Sequence, residues 1–207
     1  MTKPEFPWPK IGDRLFVEEN DSTERAFSLA SIMWNGSEHA GAFKCAADMV
    51  IETAQEAELI DFRSDLIHPV AYMYRHALEL KLKVIVRHGV DMDCYPKSAV
   101  EKVLQEHSLA RLWTKAKQAI EHRWPGGGSG ELKAVEAVIN EMHQADQNGQ
   151  KWRYATEKNG RPIKRQGMPQ FVSLQSLHKT MDNVFTFLEA CEGGIDDGLQ
   201  AMRDAMY

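Results

Sequence analysis

Residues 66–88, LIHPVAYMYRHALELKLKVIVRH, decide the fold class of this 207-residue chain. On a helical wheel of about 100° per residue, the apolar side chains of this segment cover an arc of roughly 200°. They are Leu66, Ile67, Val70, Ala71, Met73, Tyr74, Ala77, Leu78, Leu80, Val84 and Ile85. Because so broad an apolar surface has to be buried on most sides, the segment predicts the central helix of an all-α protein. Asp65 is the expected N-cap, Gly89 the expected stop, and Pro69 falls in the first turn.

Helical periodicity continues before and after this segment, and it predicts a bundle of about five to seven helices. The expected helices span about 23–34, 37–58, 66–88, 98–120 with an interruption near 106–107, 132–142 and 173–188, followed by a short amphipathic tail at 195–206. The glycine-rich stretch between the helices at 98–120 and 132–142 is short, so it predicts an internal loop and no domain boundary.

Two segments are expected to be non-helical. Three of the first nine residues are proline, so residues 1–21 predict an extended arm ahead of a single domain at 22–207. Further along, Lys158-Asn159-Gly160 is a turn sequence with strand-like residues on both sides. It predicts a small β-hairpin-like insertion near 150–166.

Charge and cysteine content limit the partners and the compartment. A net charge of -5 and a pI near 5.9 exclude a protein that coats nucleic acid along a broad basic face, so any such contact is local. Cys45, Cys94 and Cys191 are far apart and lack CxxC spacing, which favours a reducing compartment and no structural zinc. No stretch approaches the roughly 18 apolar residues of a membrane span, and the first ten residues lack an apolar signal core. We therefore expect a cytoplasmic protein without membrane contact.

The polar residues of the 66–88 helix fall in one arc of roughly 100°. They are His68, Tyr72, Arg75, His76, Glu79 and Lys83. One interpretation is an ordinary solvated face with an Arg75–Glu79 ion pair. The other is a groove or a dimer interface, which two histidines and a tyrosine favour. A histidine beside an arginine suits metal-independent phosphodiester chemistry, because the ring accepts a proton from a hydroxyl while the guanidinium stabilises the phosphate charge.

A metal site is a further interpretation of the same face. His76-x-x-Glu79 offers two ligand types, and His107 or His178 is available as a third ligand. The sequence has no His-Glu-x-x-His motif, no repeated Glu-x-x-His motif and no acidic cluster of the kind found in di-iron bundles. We therefore expect no metal and no other cofactor.

One short segment is basic in this acidic chain. Its cations are Lys151, Arg153, Lys158, Arg161, Lys164 and Arg165, and Glu157 opposes them. Trp152 and Tyr154 stand between the cations. Rings with neighbouring cations commonly hold single-stranded nucleic acid, whereas the alternative is a solubilising loop that its aromatic residues attach to the core.

Three motifs, in this order, resemble the HEPN superfamily of helical bundles across about residues 40–190. YRHALELKLK at 74–83 resembles the His-Ala-x-Glu helix of several bacterial members. HSLARLW at 107–113 is similar to their His-x-Leu…Leu helix start, and WRY…KNG at 152–160 is similar to an Arg-Tyr…Gly hairpin before the last helix. The resemblance implies an all-α bundle.

A fourth motif is the pair Arg63 and His68, which resembles the Arg-x4–6-His pair of HEPN ribonucleases. The resemblance implies a metal-independent endoribonuclease site, often completed across a homodimer. His68 is then the base and Arg63 the phosphate-binding residue. The further residues expected to form the binding pocket are Tyr72, Arg75, His76, Glu79, His107, Arg153 and Tyr154.

These observations give three hypotheses about function. The first is a HEPN-like homodimer that acts on RNA as a ribonuclease, in the toxin–antitoxin or phage-defence setting that the resemblance implies. The second is a non-catalytic HEPN-like module that binds a nucleotide, RNA or a protein partner. The third is a metal-dependent helical-bundle enzyme.

Overall fold

The structure is a computed structural model that describes Ile11, Arg14 and residues 36–56, 60–154, 156, 159–161, 169 and 171–206, without the side chains of residues 56 and 60–64. Contacts divide the chain into residues 1–34 and residues 35–207. The predicted arm at 1–21 and the predicted helix at 23–34 lie outside the described residues, apart from Ile11 and Arg14. The predicted boundary between residues 21 and 22 therefore stays a prediction.

The second unit is all-α, as the sequence predicts. Its described part contains six α-helices and no sheet. They are α1 (Gly36–Glu56), α2 (Ile60–Asp91), α3 (Glu101–Gln105), α4 (Leu109–Arg123), α5 (Ser129–Ala145) and α6 (Leu174–Asp204), with a 3₁₀ turn at Lys97–Ala99 between α2 and α3.

Helix α2 is the central element, and α1, α4 and α6 pack around it. Its apolar side chains form the middle of the core, and Tyr74, Leu78, Leu82 and Ile85 are fully buried. Trp113 of α4 meets them in the same hydrophobic cluster. The broad apolar arc of residues 66–88 thus has the buried position that it predicts.

Helix α2 extends beyond the predicted segment at both ends. It begins at Ile60, so Asp65 is not its N-cap and Pro69 lies inside the helix, where it cannot donate to the Asp65 carbonyl. It ends at Asp91, so Gly89 does not stop it. A Cβ on Gly89 would collide with the Tyr95 ring and lie 2.9 Å from the Ala119 methyl. Gly89 is therefore required for close packing against Tyr95 and Ala119, and it does not end the helix.

Other helix boundaries follow the sequence more closely. The interruption near 106–107 is confirmed, since α3 ends at Gln105 and Ser108 caps α4 by accepting from the Arg111 amide. Ser173 caps α6 as predicted. The prediction of a separate tail at 195–206 is wrong, because α6 continues through Gly193 and Gly194 to Asp204.

The predicted hairpin near 150–166 is not seen in the part of that segment that the structure describes. After α5, the Asp146 side chain accepts from the Gln150 amide at 2.9 Å, and the Arg153 amide donates to the Gln150 carbonyl at 3.1 Å. These bonds fold the chain into turns, because an Asp side chain competes with strand pairing for backbone N–H groups. Lys158 and residues 162–168 lie outside the described residues.

Candidate functional site

The polar residues of α2 separate into two groups with different surroundings. Arg75 and Glu79 are buried, each with 2% of its surface exposed, and they form an ion network. Tyr72 and His76 are half-buried and belong to a series of ring contacts that continues to the protein surface. The residues that the sequence places on one polar face of α2 therefore belong to two separate sets of contacts, a buried ion network and a series of rings.

Arg75 is the centre of the ion network. Its Nη1 donates to Glu79 Oε2 at 3.1 Å, and its Nε donates to the Asp146 backbone carbonyl at 2.9 Å. Its Nη2 donates to the His107 carbonyl. The carboxylate of Asp146 is fully buried and lies 3.6 Å from Nε. Arg75 thus attaches two connecting segments, before α4 and after α5, to the central helix.

Glu79 completes the network from the other side. Its Oε1 lies 2.8 Å from both Lys83 Nζ and His107 Nδ1. Burial opposes the charge of this carboxylate, but the bonds from Lys83 and His107 outweigh burial and lower the pKa of Glu79. Glu79 is therefore ionised at neutral pH and neutralised by protein cations. The His107 side chain is 60% exposed, so this member of the network also faces solvent.

Gly149 fits tightly against the network. Its φ of +69° is left-handed, and a Cβ would lie 2.7 Å from Arg75 Nη1. Glycine adopts this conformation without strain, and only glycine leaves room for the guanidinium. Arg75 and Glu79, both predicted as binding residues, are thus enclosed by protein groups, and the geometry gives them a structural role.

The second group is a chain of ring contacts, which we call the aromatic strip. Its members, in order of contact, are His39, Phe43, His76, Tyr72, Arg153 and Tyr154. Phe43 meets His76 edge-on with ring centroids 4.5 Å apart, and His76 stacks on Tyr72 at 5.9 Å with only 5° between the ring planes. The Arg153 guanidinium lies 5.6 Å from the Tyr72 centroid and 5.8 Å from the Tyr154 centroid.

The aromatic strip changes from half-buried to exposed along its length. Tyr154 is 56% exposed and Arg153 is also exposed, whereas His76 is half-buried. Burial lowers the pKa of His76; the charges of Lys83 and Arg75 reinforce this shift, whereas the charge of Glu79 opposes it. His76 is therefore a neutral ring at pH 7, suited to stacking. The exposed end presents a cation between two rings.

The predicted catalytic pair has one described side chain. His68 is half-buried, and its ring centroid lies 5.9 Å from that of Trp152. Because His68 precedes Tyr72 by one helical turn, it shares the α2 face of the aromatic strip. Arg63 lies in the first turn of α2, and its side chain is outside the described part. Positions five residues apart on one helix differ by about 140° around its axis, so Arg63 and His68 occupy different faces of α2.

The structure brings in residues that the sequence did not single out. Asp146 and Gly149 complete the Arg75 network, and His39 and Phe43 extend the aromatic strip into α1. An Asp followed three residues later by Gly directly after a helix indicates a turn. That pattern could have marked the turn, but nothing local could have shown that it contacts Arg75.

Comparison with known proteins gives no match. No family model fits the chain, and no curated protein or solved structure matches it. Within the described ranges, no helix is both long and apolar enough to cross a membrane.

Proposed function

We propose that this protein binds single-stranded RNA through the exposed end of the aromatic strip. The observation that carries the proposal is the unbroken series of contacts from His76 through Tyr72 and Arg153 to Tyr154. Bases stack on such rings with about 1–3 kcal/mol each, and an arginine between two rings supplies both a stacking plane and a phosphate contact.

Charge supports a local site of this kind. The chain carries a net charge of -5, so a broad electrostatic footprint is not expected. At the aromatic strip the exposed cation Arg153 lies over the rings of Tyr72 and Tyr154. The resemblance to the HEPN superfamily points to the same class of ligand. A homodimer and a protein partner belong to the proposal on the same resemblance.

Binding of a fluorescently labelled single-stranded RNA, measured by anisotropy, tests the proposal. We expect Tyr154→Ala to weaken binding roughly 5- to 150-fold, the equivalent of about 1–3 kcal/mol of stacking. Phe171→Ala is the matched control, since Phe171 is an 85% exposed aromatic residue outside the aromatic strip. Equal losses in both variants, or no binding by the native protein, would overturn the proposal.

A metal-independent ribonuclease is the second candidate. The position of His68 on the same α2 face as Tyr72 and His76 favours it, because a base there lies beside RNA held on the aromatic strip. Cleavage of total RNA in the presence of EDTA should then be lost in His68→Ala and kept in His122→Ala, an exposed histidine on α4. Binding of RNA without cleavage would instead support the hypothesis of a non-catalytic binding module.

A further inference from the structure

A second cluster of polar side chains lies between α1 and α6. Asp48 projects from α1, and His178 and Asp182 project from α6 one turn apart. His178 Nε2 lies 3.6 Å from Asp48 Oδ1 and 3.7 Å from Asp182 Oδ2. One donor atom of each residue lies within 4.8 Å of the other two. His178 is also the alternative third ligand of the metal site that the sequence predicts at His76 and Glu79, but its neighbours here are Asp48 and Asp182.

These separations suit a metal ion. A tetrahedral zinc site with bonds of about 2.0–2.2 Å separates its ligand atoms by about 3.3–3.6 Å. The two distances from His178 Nε2 nearly match that range before any adjustment. One imidazole nitrogen and two carboxylates are a donor set for a divalent transition metal, whereas Mg²⁺ and Ca²⁺ prefer oxygen alone.

Tyr74 supports Asp48 from the core side. Its hydroxyl donates to Asp48 Oδ1 at 2.6 Å, and the tyrosine is fully buried. A donor behind a carboxylate fixes its orientation, as outer-shell partners of metal ligands do.

Lys44 is the cation that now balances the two carboxylates. Its Nζ lies 2.8 Å from Asp48 Oδ2 and also contacts Asp182 Oδ1. The Lys44 side chain is 21% exposed and Asp182 is 49% exposed, so the lysine has a path to solvent and an ion has a path in.

We propose that Asp48, His178 and Asp182 bind a divalent transition-metal ion, and that Lys44 competes with the ion for the two carboxylates. Binding exchanges one cation for another: the ammonium moves into water and the metal gains two carboxylates and one imidazole. Water completes the coordination from the open side at Asp182. Lys44 is thus a competitor and not a ligand.

Titration calorimetry with Zn²⁺, supported by the visible absorption of Co²⁺, tests this on the full chain. We expect Asp182→Asn and His178→Gln each to lower the affinity by at least roughly 10-fold, and Tyr74→Phe by roughly 10-fold. Lys44→Gln removes the competitor, so it should raise the affinity and leave the Co²⁺ spectrum unchanged. An ordinary salt bridge predicts no such gain.

Lys117→Gln is the matched control, since Lys117 pairs with Glu136 at 2.8 Å without a histidine nearby. It should leave metal affinity unchanged. Two results overturn the proposal. One is the absence of Zn²⁺ binding in both the native protein and Lys44→Gln; the other is binding that Asp182→Asn and His178→Gln do not weaken. Thermal unfolding of each variant confirms that the compared chains are folded.

Discussion

Arg75 and His76 are neighbours in sequence on α2, yet their surroundings are opposite. Arg75 is 2% exposed and donates to three acceptors from three parts of the chain. His76 lies in a series of rings that ends in the exposed side chain of Tyr154. The Arg75 network uses its polar groups to join connecting segments to the central helix, whereas the aromatic strip keeps rings and a guanidinium at the surface. Polar residues on one helical arc can therefore divide between a buried ion network and an exposed surface.

Removing the centre of the network should have the largest effect. Arg75→Met leaves Glu79 and the buried carboxylate of Asp146 without their common partner, and breaking a buried ion pair in this way costs about 3–5 kcal/mol. Urea denaturation measures the loss. The control is Arg111→Met, whose exposed pair with Glu106 should contribute below about 1 kcal/mol. Similar losses in both variants would show that the Arg75 network contributes no more to the free energy of unfolding than an exposed ion pair does.

Gly149→Ala should disturb the same network by straining the backbone beside Arg75. The left-handed φ and the 2.7 Å approach to Arg75 Nη1 predict destabilisation of about 1–3 kcal/mol. Gly130→Ala provides the contrast, because a Cβ there meets nothing within 4 Å and α5 gains about 0.5–1 kcal/mol of helix propensity. The two substitutions should therefore shift the urea midpoint in opposite directions, and a shift in the same direction would contradict the argument.

Arg153→Gln tests the exposed end of the aromatic strip. It removes a cation that lies over two rings, which is worth about 0.5–1 kcal/mol at an exposed site. If Arg153 contacts a phosphate, the salt dependence of RNA binding should lose a slope of about 0.7. Anisotropy titrations at several salt concentrations measure both effects, with the exposed Arg203→Gln as control. An unchanged slope would remove the phosphate contact from the proposal.

The smallest expected effect is on the pH dependence of stability. Burial lowers the pKa of His76 below its ordinary 6.5, so the unfolded chain binds this proton first. Stability should be independent of His76 above about pH 6.5 and should fall as the pH drops from there through the lower folded pKa. His76→Gln should flatten part of this fall in urea midpoints between pH 7.5 and 5. Burial also lowers the pKa of His143, so the rest of the fall in stability should persist in the His76→Gln variant.

The fold was predictable because its evidence is local. The apolar arc of residues 66–88 is a pattern of side chains within one helix, and burial of that helix follows from it. The same wheel showed which residues share the polar face, but it could not show what covers them. Arg75 meets Asp146 across 71 positions, and Lys81 is buried against Glu192 across 111 positions. Such pairings depend on the tertiary arrangement and leave no periodic pattern in the sequence.

The predicted role of Gly89 failed for a related reason. Glycine after an apolar helix often marks its end, since it adopts the left-handed conformation of a C-cap. Here Gly89 stays helical because the Tyr95 ring packs directly on its backbone, with the Tyr95 hydroxyl donating to the Val86 carbonyl at 3.1 Å. The sequence alone does not separate these two uses of glycine.

The turn after α5 has a consequence for backbone dynamics. The Gln150 amide donates to the fully buried Asp146 side chain, and the Asp146 carbonyl accepts from Arg75 on the central helix. Exchange of this amide hydrogen with solvent requires the bond to Asp146 to open. We therefore expect the Gln150 amide to exchange more slowly than an unbonded loop amide, and the turn that positions Arg153 to resist proteolytic nicking.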